Sequence, residues 1–312
     1  MARWLLERDG PELPADSKSI DARDLACFPD KASVREAGSI GYFQLLAERE
    51  KEFALARAKR WESKENIPAL LGEIRDLIAL PPAAEFPPVE AAADGGFEKS
   101  DAQWTRLTIR TEPGIDLPAV LAMPEGPVKG GMLYADDAKC DAMCDNSRLT
   151  QSWLDRGYAI LSVELRGFGS TAAIPWRYNR DFIVESHGPN LPDVFIALML
   201  GRSFVGFRAF DLLQSARALA AKLPAGTPLH LEARGQAVVP ALHAAALEPG
   251  VFRTVRFSDG LQDWRHICQS VVADGAQLQF ENVVQGALKA YDLPDLYRLV
   301  EERAAKPDAQ PE

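Results

Sequence analysis

The sequence predicts an α/β fold with a doubly wound, mostly parallel sheet, and three observations indicate it. Short apolar runs alternate with amphipathic helical patterns from residue 104 onward, as they do in βαβ units. Two of the runs, 130–134 and 159–164, are apolar almost throughout, which is typical of strands buried on both faces. The composition of the 312 residues, 47% hydrophobic and 26% charged, is that of a globular protein with a sizeable core.

The elements are expected in a simple order along the chain. A hairpin comes first, because two alternating runs, 104–110 and 117–122, flank a turn at Pro113 and Gly114. The sequence then predicts strands at 130–134, 159–164, 228–233 and 252–258, helices at 148–156, 207–223 and 238–248, and helical material at 280–303.

The region before the hairpin divides into two parts. Residues 1–40 are polar and broken by prolines, whereas 41–60 and 68–80 carry apolar residues at helical spacing. Arg57, Lys59 and Arg60 are interleaved with acidic residues and are interpreted as a solvated helix face. We therefore predict an irregular N-terminal segment (1–40), a helical extension with a proline-rich linker (41–90), an α/β domain (91–303) and a disordered tail (304–312).

Charge and targeting signals limit the classes of partner. The net charge of −10 argues against nucleic acid or an anionic membrane as the main partner, because phosphate groups need a basic face. The sequence begins without a secretory signal pattern and has no apolar run long enough for a membrane span, so we expect a cytoplasmic protein. Cys140 and Cys144 are four residues apart without a second ligand pair, so neither a metal nor another cofactor is expected.

Several segments together resemble the bacterial acetyl xylan esterase-like branch of the α/β-hydrolase superfamily. They are LPAVLAMP (117–124), GYAILSVELRGFGST (157–171), GRSFVGFRAFDLLQSARAL (201–219), VVPALHAAALEP (238–249) and YDLPDLYRL (291–299). The resemblance covers residues 41–300 and implies a serine–acid–histidine triad that hydrolyses carboxylic esters, with acetylated carbohydrate as substrate. The segment ARWLL near the N-terminus resembles the junction inside tandem two-hydrolase proteins, and it implies that the chain is like the second half of one.

The nucleophile expected from this resemblance is missing. The strand-to-helix elbow consists of Ala233, Arg234, Gly235, Gln236 and Ala237, and Gly235 occupies the serine position of the G-x-S-x-G motif. Both flanking glycines of the motif are alanine here. A glycine has no oxygen that could attack a carbonyl, but it adopts the positive φ of an elbow readily. We expect the shape of the elbow without its chemistry.

The triad histidine is also missing from its expected place. Only His243 and His266 follow the elbow, and His243 falls well inside the next predicted helix. His266 follows the strand 252–258 too closely to belong to the eighth strand of the fold. Because no β-branched apolar run comes later, we expect the sheet to stop after this sixth strand, without the acid and the histidine of a triad.

Other polar residues fall near the carboxyl ends of the predicted strands, where ligands bind in open α/β sheets. Asp136 and Asp137 occupy the loop expected to stabilise an oxyanion, where they either oppose negative charge or point to solvent and cap a helix. The remaining pocket candidates are Glu164, Arg166, Glu232, Arg234, Asp259, Asp263 and His266. They form either a salt-bridge network or a polar ligand site. Arg166 is expected to pair with Asp259 or a ligand, and an Asp259–His266 acid–base dyad is a further alternative.

These observations lead to one principal hypothesis and two alternatives. The principal one is a catalytically degenerate α/β-hydrolase domain that acts as a binding or scaffolding partner, in a homodimer or in a hetero-complex with an active hydrolase subunit. The first alternative is a carboxylic-ester hydrolase that is completed by another chain or by unusual residues. The second is a non-functional remnant of a tandem gene. Dimerisation is favoured because the strand 252–258 would otherwise leave an apolar sheet edge open.

Overall fold

The computed structural model describes residues 19–21, 24–25, 38–100, 102–173, 190–269 and 279–304. The α-helices are α1 (Tyr42–Glu62), α2 (Ile67–Leu77), α3 (Ala142–Asp145), α4 (Ser147–Leu154), α5 (Leu191–Met199), α6 (Phe204–Ala221), α7 (Val238–Leu247), α8 (Arg265–Gln269) and α9 (Leu293–Ala304). The strands are β1 (Glu90–Lys99), β2 (Ala102–Glu112), β3 (Ile115–Ala122), β4 (Gly130–Ala135), β5 (Tyr158–Val163), β6 (Leu229–Arg234) and β7 (Thr254–Ser258).

The strands form one seven-stranded sheet in the order β1-β2-β3-β5-β4-β6-β7. The first three strands and β5 pair antiparallel in succession. Strands β5, β4, β6 and β7 are parallel to one another, so their carboxyl ends share one edge of the sheet. This arrangement confirms the predicted α/β architecture. It also places the loop after β4 next to the loops after β5 and β6.

Strand β1 was not expected from the sequence. The prediction assigned a linker up to residue 90 and began the first strand at 104, whereas β1 runs from Glu90 to Lys99 and pairs with β2. Most of its residues are exposed, and its register shifts between Ala93 and Gly96. A polar strand that carries two glycines at a bulge lacks the alternation by which half-buried strands are recognised.

Two apolar clusters lie in the described part of the chain. The larger one includes α2, α6, α7, α9 and the inward side chains of β6, and α7 is buried along its whole length. The smaller one gathers around Met132, Met143, Trp153 and Ile160 on β4, β5 and the neighbouring short helices. Every residue of β4 is buried, because this strand carries apolar side chains toward both faces.

The outer half of the sheet is different. Burial alternates along β6 and β7, with Leu229, Leu231 and Ala233 buried and Arg234 and Arg256 exposed. We call the side chains that share the less buried side the polar face; they are His230, Glu232, Arg234, Thr254, Arg256 and Ser258. Along the β4–β6 register Met132 lies beside His230 and Tyr134 lies beside Glu232. The apolar surface of β4 therefore gives way to a polar one within a single strand spacing.

Helix α1 is fastened to the rest of the protein by a buried arginine. Arg57 belongs to the second of the chain's two compact units, which begins at Leu46, and it is buried there. The Arg57 guanidinium lies 3.5 Å from a carboxylate oxygen of Glu50 and 3.6 Å from one of Asp295, and it donates to the Leu288 carbonyl at 2.5 Å. The interpretation of Arg57 as part of a solvated face is therefore wrong. A charge pattern along one helix does not reveal carboxylates that another helix supplies.

The described residues after Ser258, 259–269 and 279–304, form turns and helices and no further strand. This confirms, for the part of the chain described, that β7 ends the sheet. Helix α9 packs against the inward side of β7, where the Phe257 and Tyr297 rings are 5.9 Å apart in an edge-to-face arrangement. None of the described helices is long and apolar enough to cross a lipid bilayer.

Candidate functional site

The turn between β6 and α7 has the shape expected of a nucleophile elbow. Gly235 follows the last residue of β6, has a φ of +59°, and opens a 3₁₀ turn that leads into α7 at Val238. The flanking Ala233 and Ala237 are completely buried. Asn282 holds the turn from outside by donating from its side-chain amide to the Gln236 carbonyl at 2.8 Å. A residue with positive φ at this point projects a side chain away from the sheet, and here that residue has none.

The space beside Gly235 is taken by a carboxylate. A Cβ atom placed on Gly235 would lie 3.1 Å and 3.2 Å from the two carboxylate oxygens of Asp137. Asp137 comes from the loop after β4, and its carboxylate faces the elbow where an oxyanion would form in an acyl transfer. The start of α7 lies directly after this turn, and a helix N-terminus favours negative charge. Asp137 therefore points inward, toward the elbow, and not outward to solvent.

Asp136 has a different role from its neighbour. It accepts a hydrogen bond from the Ala138 amide at 2.9 Å and another from the Tyr134 hydroxyl at 2.9 Å. Burial, together with the charge of Asp136, raises the pKa of Tyr134 well above its usual range, so that hydroxyl stays a donor. Asp136 therefore shapes the loop and does not cap a helix, a role that Asn146 performs for α4.

The pairing of Asp259 differs from the expectation. Asp259 accepts from Nε of Arg234 at 2.7 Å, so that the ends of β7 and β6 are joined by an ion pair. Both side chains are about three-fifths exposed, at 60% and 62%. The predicted pair between Arg166 and Asp259 is wrong, because β5 and β7 are separated by β4 and β6 in the sheet.

Neither histidine after the elbow is paired as a catalytic base. His266 lies 3.0 Å from Asp263, three residues before it, and not in a dyad with Asp259. His243 is completely buried, donates from Nδ1 to the Val239 carbonyl at 2.7 Å, and accepts at Nε2 from the Tyr291 hydroxyl at 2.7 Å. Burial lowers the pKa of His243 to about 4, so it is neutral near pH 7.

Comparisons with known proteins bear on the fold. Neither a protein-family model nor a curated protein matches the chain. A structure from Bacteroides fragilis, provisionally assigned as an acetyl xylan esterase, superposes with a TM-score of 0.62 at 12% identity, over 86% of this chain and 75% of that one. The chain has an acetyl xylan esterase-like α/β-hydrolase fold. Acetyl xylan esterase 1 from Thermoanaerobacterium sp. is also similar, with 15% identity over 78% of this chain and 75% of its own, at a TM-score of 0.47.

In this α/β-hydrolase fold the pocket candidates Glu164 and Arg166 are engaged in contacts within the protein, whereas Glu232, within the part of the chain described, is not. Glu164 is buried and accepts from the Cys140 amide at 3.0 Å. Its other oxygen accepts from the amide and the hydroxyl of Ser170, at 2.7 Å and 2.5 Å. Glu164 therefore ties the loop after β4 to the loop after β5. Glu232, on the polar face, has one carboxylate oxygen that is buried without a hydrogen-bond partner.

Arg166 binds carboxylates from two other elements. Its guanidinium makes a bidentate contact with Asp211 of α6, at 2.8 Å and 2.6 Å, and lies 2.8 Å from Glu112 of β2. Burial alone would lower the pKa of Arg166, but Asp211 and Glu112 outweigh it and raise the pKa above its ordinary value. The Asp211 side chain is fully buried and also accepts from the Thr111 hydroxyl at 3.2 Å.

Sequence reasoning missed a second buried arginine beneath the same loop. Arg208 is fully buried, donates from Nε to the Arg166 carbonyl at 2.9 Å, and forms an ion pair with Glu281. Asn190 joins them by donating to Glu281 at 2.8 Å and to the Gly167 carbonyl at 2.7 Å. Burial lowers the pKa of Arg208. The available signal was an arginine and an aspartate three residues apart within the apolar segment FVGFRAFDLL (204–213).

The described cysteines are free thiols, and Cys268 is only partly buried. Cys140 and Cys144 are free and buried, and burial raises the pKa of Cys144 to about 11. Among the described residues, no three histidine, cysteine, aspartate or glutamate side chains come together as metal ligands. Cys27 lies outside the described residues.

Proposed function

We propose that this chain is an α/β-hydrolase domain that does not hydrolyse esters at its elbow and acts by binding another protein. The observation that carries the proposal is the pair formed by Gly235 and Asp137. Gly235 offers no nucleophile, and the Asp137 carboxylate lies 3.1 Å from the position of the missing Cβ atom.

The chemistry of acyl transfer explains why this pair matters. The reaction needs a nucleophile that a base activates and donors that stabilise the developing oxyanion. A carboxylate beside the elbow destabilises that negative charge instead. Of the two histidines beyond the elbow, His243 is held neutral in the core and His266 hydrogen-bonds Asp263.

The partner that we propose is an active hydrolase subunit. The resemblance of the N-terminal segment to the junction in tandem two-hydrolase proteins supports this class of partner. The engagement of Glu164 and Arg166 within the protein also supports a role other than binding a small polar substrate at the ends of the strands. The experiment begins with the reading frames that flank this one: a hydrolase with an elbow serine encoded there is purified and mixed with the chain, and light scattering should show a complex heavier than either protein, whereas two unchanged masses would contradict the proposed partner.

The absence of catalysis is tested with a fluorophosphonate serine probe and with p-nitrophenyl acetate. We expect no labelling and no turnover above buffer for the wild type, with an active serine esterase as the positive control. The variant Gly235→Ser should also remain inactive, because its hydroxyl would meet the Asp137 carboxylate. The double variant Gly235→Ser/Asp137→Ala removes that obstacle and should still lack a base. The serine at positive φ should lower the stability by roughly 1–3 kcal/mol.

The alternative, a carboxylic-ester hydrolase, predicts the opposite results. Turnover by the wild type that Asp137→Asn or Asp259→Asn abolishes would favour it over the binding role. Stoichiometric labelling of a serine, located by mass spectrometry, would do the same.

A further inference from the structure

Strand β7 has one side of its backbone free within the described part of the chain. Its only strand partner there is β6. The amide of Arg253 donates to the Leu229 carbonyl of β6 at 2.7 Å. Because successive peptide groups of a strand point in alternate directions, the N–H and C=O groups of Thr254, Arg256 and Ser258 point away from β6. Among the residues that the structure describes, these three therefore present donors and acceptors in a row without a strand partner.

The edge has only part of the usual protection against pairing. Strand β7 reads TVRFS; it is short and carries one charged residue, Arg256, but has no proline and no bulge in its register with β6. Its inward side chains, Val255 and Phe257, are apolar and only partly buried. Beside them lies an open cleft of about 550 Å³ between β7 and α9. The lining of the cleft includes Phe257, Tyr297, Arg298, Val300 and Glu301.

We propose that β7 pairs antiparallel with β7 of a second copy of this chain, around a two-fold axis at Arg256. In this register Thr254 lies opposite Ser258 of the second copy, so that outward peptide groups meet on both sides and form about six hydrogen bonds. Val255 lies opposite Phe257 of the second copy at positions where side chains approach most closely. Each Phe257 then lies next to the cleft of the other copy.

The charges favour a second copy over an unrelated strand. The rim of the cleft carries Arg298 and Glu301, which have opposite signs and lie one helical turn apart on α9. In the proposed dimer a two-fold axis relates the two rims, so Arg298, which lies 3.5 Å from Asp295 of its own helix, would also face the Glu301 carboxylate of the other copy. The two Arg256 side chains repel each other at the axis, but Glu232 is the register neighbour of each one and has an unpartnered oxygen. The strand therefore supplies both halves of a self-complementary surface.

This inference does not depend on the proposed function, because an active esterase with this edge would dimerise in the same way. The test measures the mass of the full chain by light scattering at tens of micromolar concentration. We expect twice the monomer mass of 34.2 kDa. In Arg256→Pro the proline ring removes an N–H that points away from β6 and leaves the pairing with β6 intact. The dissociation constant of the dimer should therefore rise at least about tenfold. The matched control Arg256→Ala keeps the N–H and should remain dimeric.

A cross-link provides a second readout should Arg256→Pro fail to fold. The double variant Val255→Cys/Phe257→Cys places thiols opposite each other across the axis and should form a covalent dimer under mild oxidation. Val255→Cys alone should not, because its counterpart remains phenylalanine. A monomeric wild type would overturn the proposal, as would an Arg256→Pro variant that folds and stays dimeric. If the wild type is monomeric, rapid exchange of the backbone amide hydrogens at 254, 256 and 258 would show that the edge is exposed but does not pair with a second copy.

Discussion

The two halves of the parallel sheet follow different rules. Strands β4 and β5, with the sequences GGMLYA and YAILSV, are buried on both faces. Strands β6 and β7, with the sequences LHLEAR and TVRFS, alternate between apolar and polar side chains and are covered mainly on one face. The change occurs between neighbours, since β4 and β6 are hydrogen-bonded to each other.

This difference shows that the outer half of the sheet is adapted to having one uncovered face. A parallel sheet with helices on both sides requires strands that are apolar throughout. Glu232 and Arg256 would each be costly to bury without partners under a covering helix. The polar face is therefore a property of the sequence, and it matches a sheet that ends at β7 among the described residues.

The ion pairs at the strand ends give the largest predicted contrast. Asp211 is fully buried and holds Arg166 in the covered half, whereas Asp259 holds Arg234 in the uncovered half. We expect Asp211→Ala to lower the free energy of unfolding by about 3–5 kcal/mol, because the Arg166 guanidinium loses its bidentate partner and keeps only Glu112, and the buried Thr111 hydroxyl loses its acceptor. Asp259→Ala should have little measurable effect. Urea denaturation of both variants tests this, and equal losses would contradict the comparison.

Substitutions on one face of the sheet sharpen the comparison further. Met132 on β4 is completely buried and lies beside His230 in the register, two residues before the Tyr134–Glu232 pair. Met132→Ala should lower the stability by about 2–5 kcal/mol because it leaves a cavity. Glu232→Ala, on the polar face, should cost less than about 1 kcal/mol, because the buried Glu232 oxygen has no hydrogen bond to lose. A cost above about 2 kcal/mol for Glu232→Ala would mean that a further element covers this face.

The pH dependence of stability tests the covered side of β6. His243 of α7 has a pKa of about 4 in the folded protein, below its ordinary value of about 6.5. Between these values the unfolded chain binds a proton that the folded protein excludes, so stability falls as the pH drops from about 6.5 to 4. The loss should reach up to about 3 kcal/mol. His243→Gln should flatten this part of the profile in denaturation at several pH values, whereas an unchanged slope would assign it to other groups.

The sequence predicted the elements whose side chains follow a regular period, and it failed where contacts join distant elements. The elbow at 233–237 was located correctly because a strand, a sharp turn and a buried helix follow in direct succession. Of the two partners that the sequence suggests for Arg166, Asp259 or a polar ligand, Asp259 is too far away, because three strand spacings, about 14 Å, separate β5 from β7. The actual partner of Arg166, Asp211, projects from a helix that crosses back over the sheet. The periodicity of the sequence does not predict where that helix packs on the sheet.

The orientation of the Asp137 side chain was equally hard to predict from the sequence. Asp137 was recognised as a loop carboxylate with two possible orientations, and only the placement of β4 beside β6 decides between them. The polar face, in contrast, can be predicted from the alternation of apolar and polar residues in the sequences of β6 and β7. Its meaning depends on the strand order, which places both strands at one end of the sheet.

The carboxylate next to Gly235 also fixes the order in which a descendant of this chain could regain a catalytic serine. A mutation of the Gly235 codon on its own would place a hydroxyl against Asp137, so natural selection would see a loss of stability without a gain in activity. The carboxylate would have to change first, in a background where that change brings no benefit. Even both substitutions together would leave the serine without a base, because His243 is held in the core and His266 hydrogen-bonds Asp263, so several changes that are useless alone separate this elbow from activity.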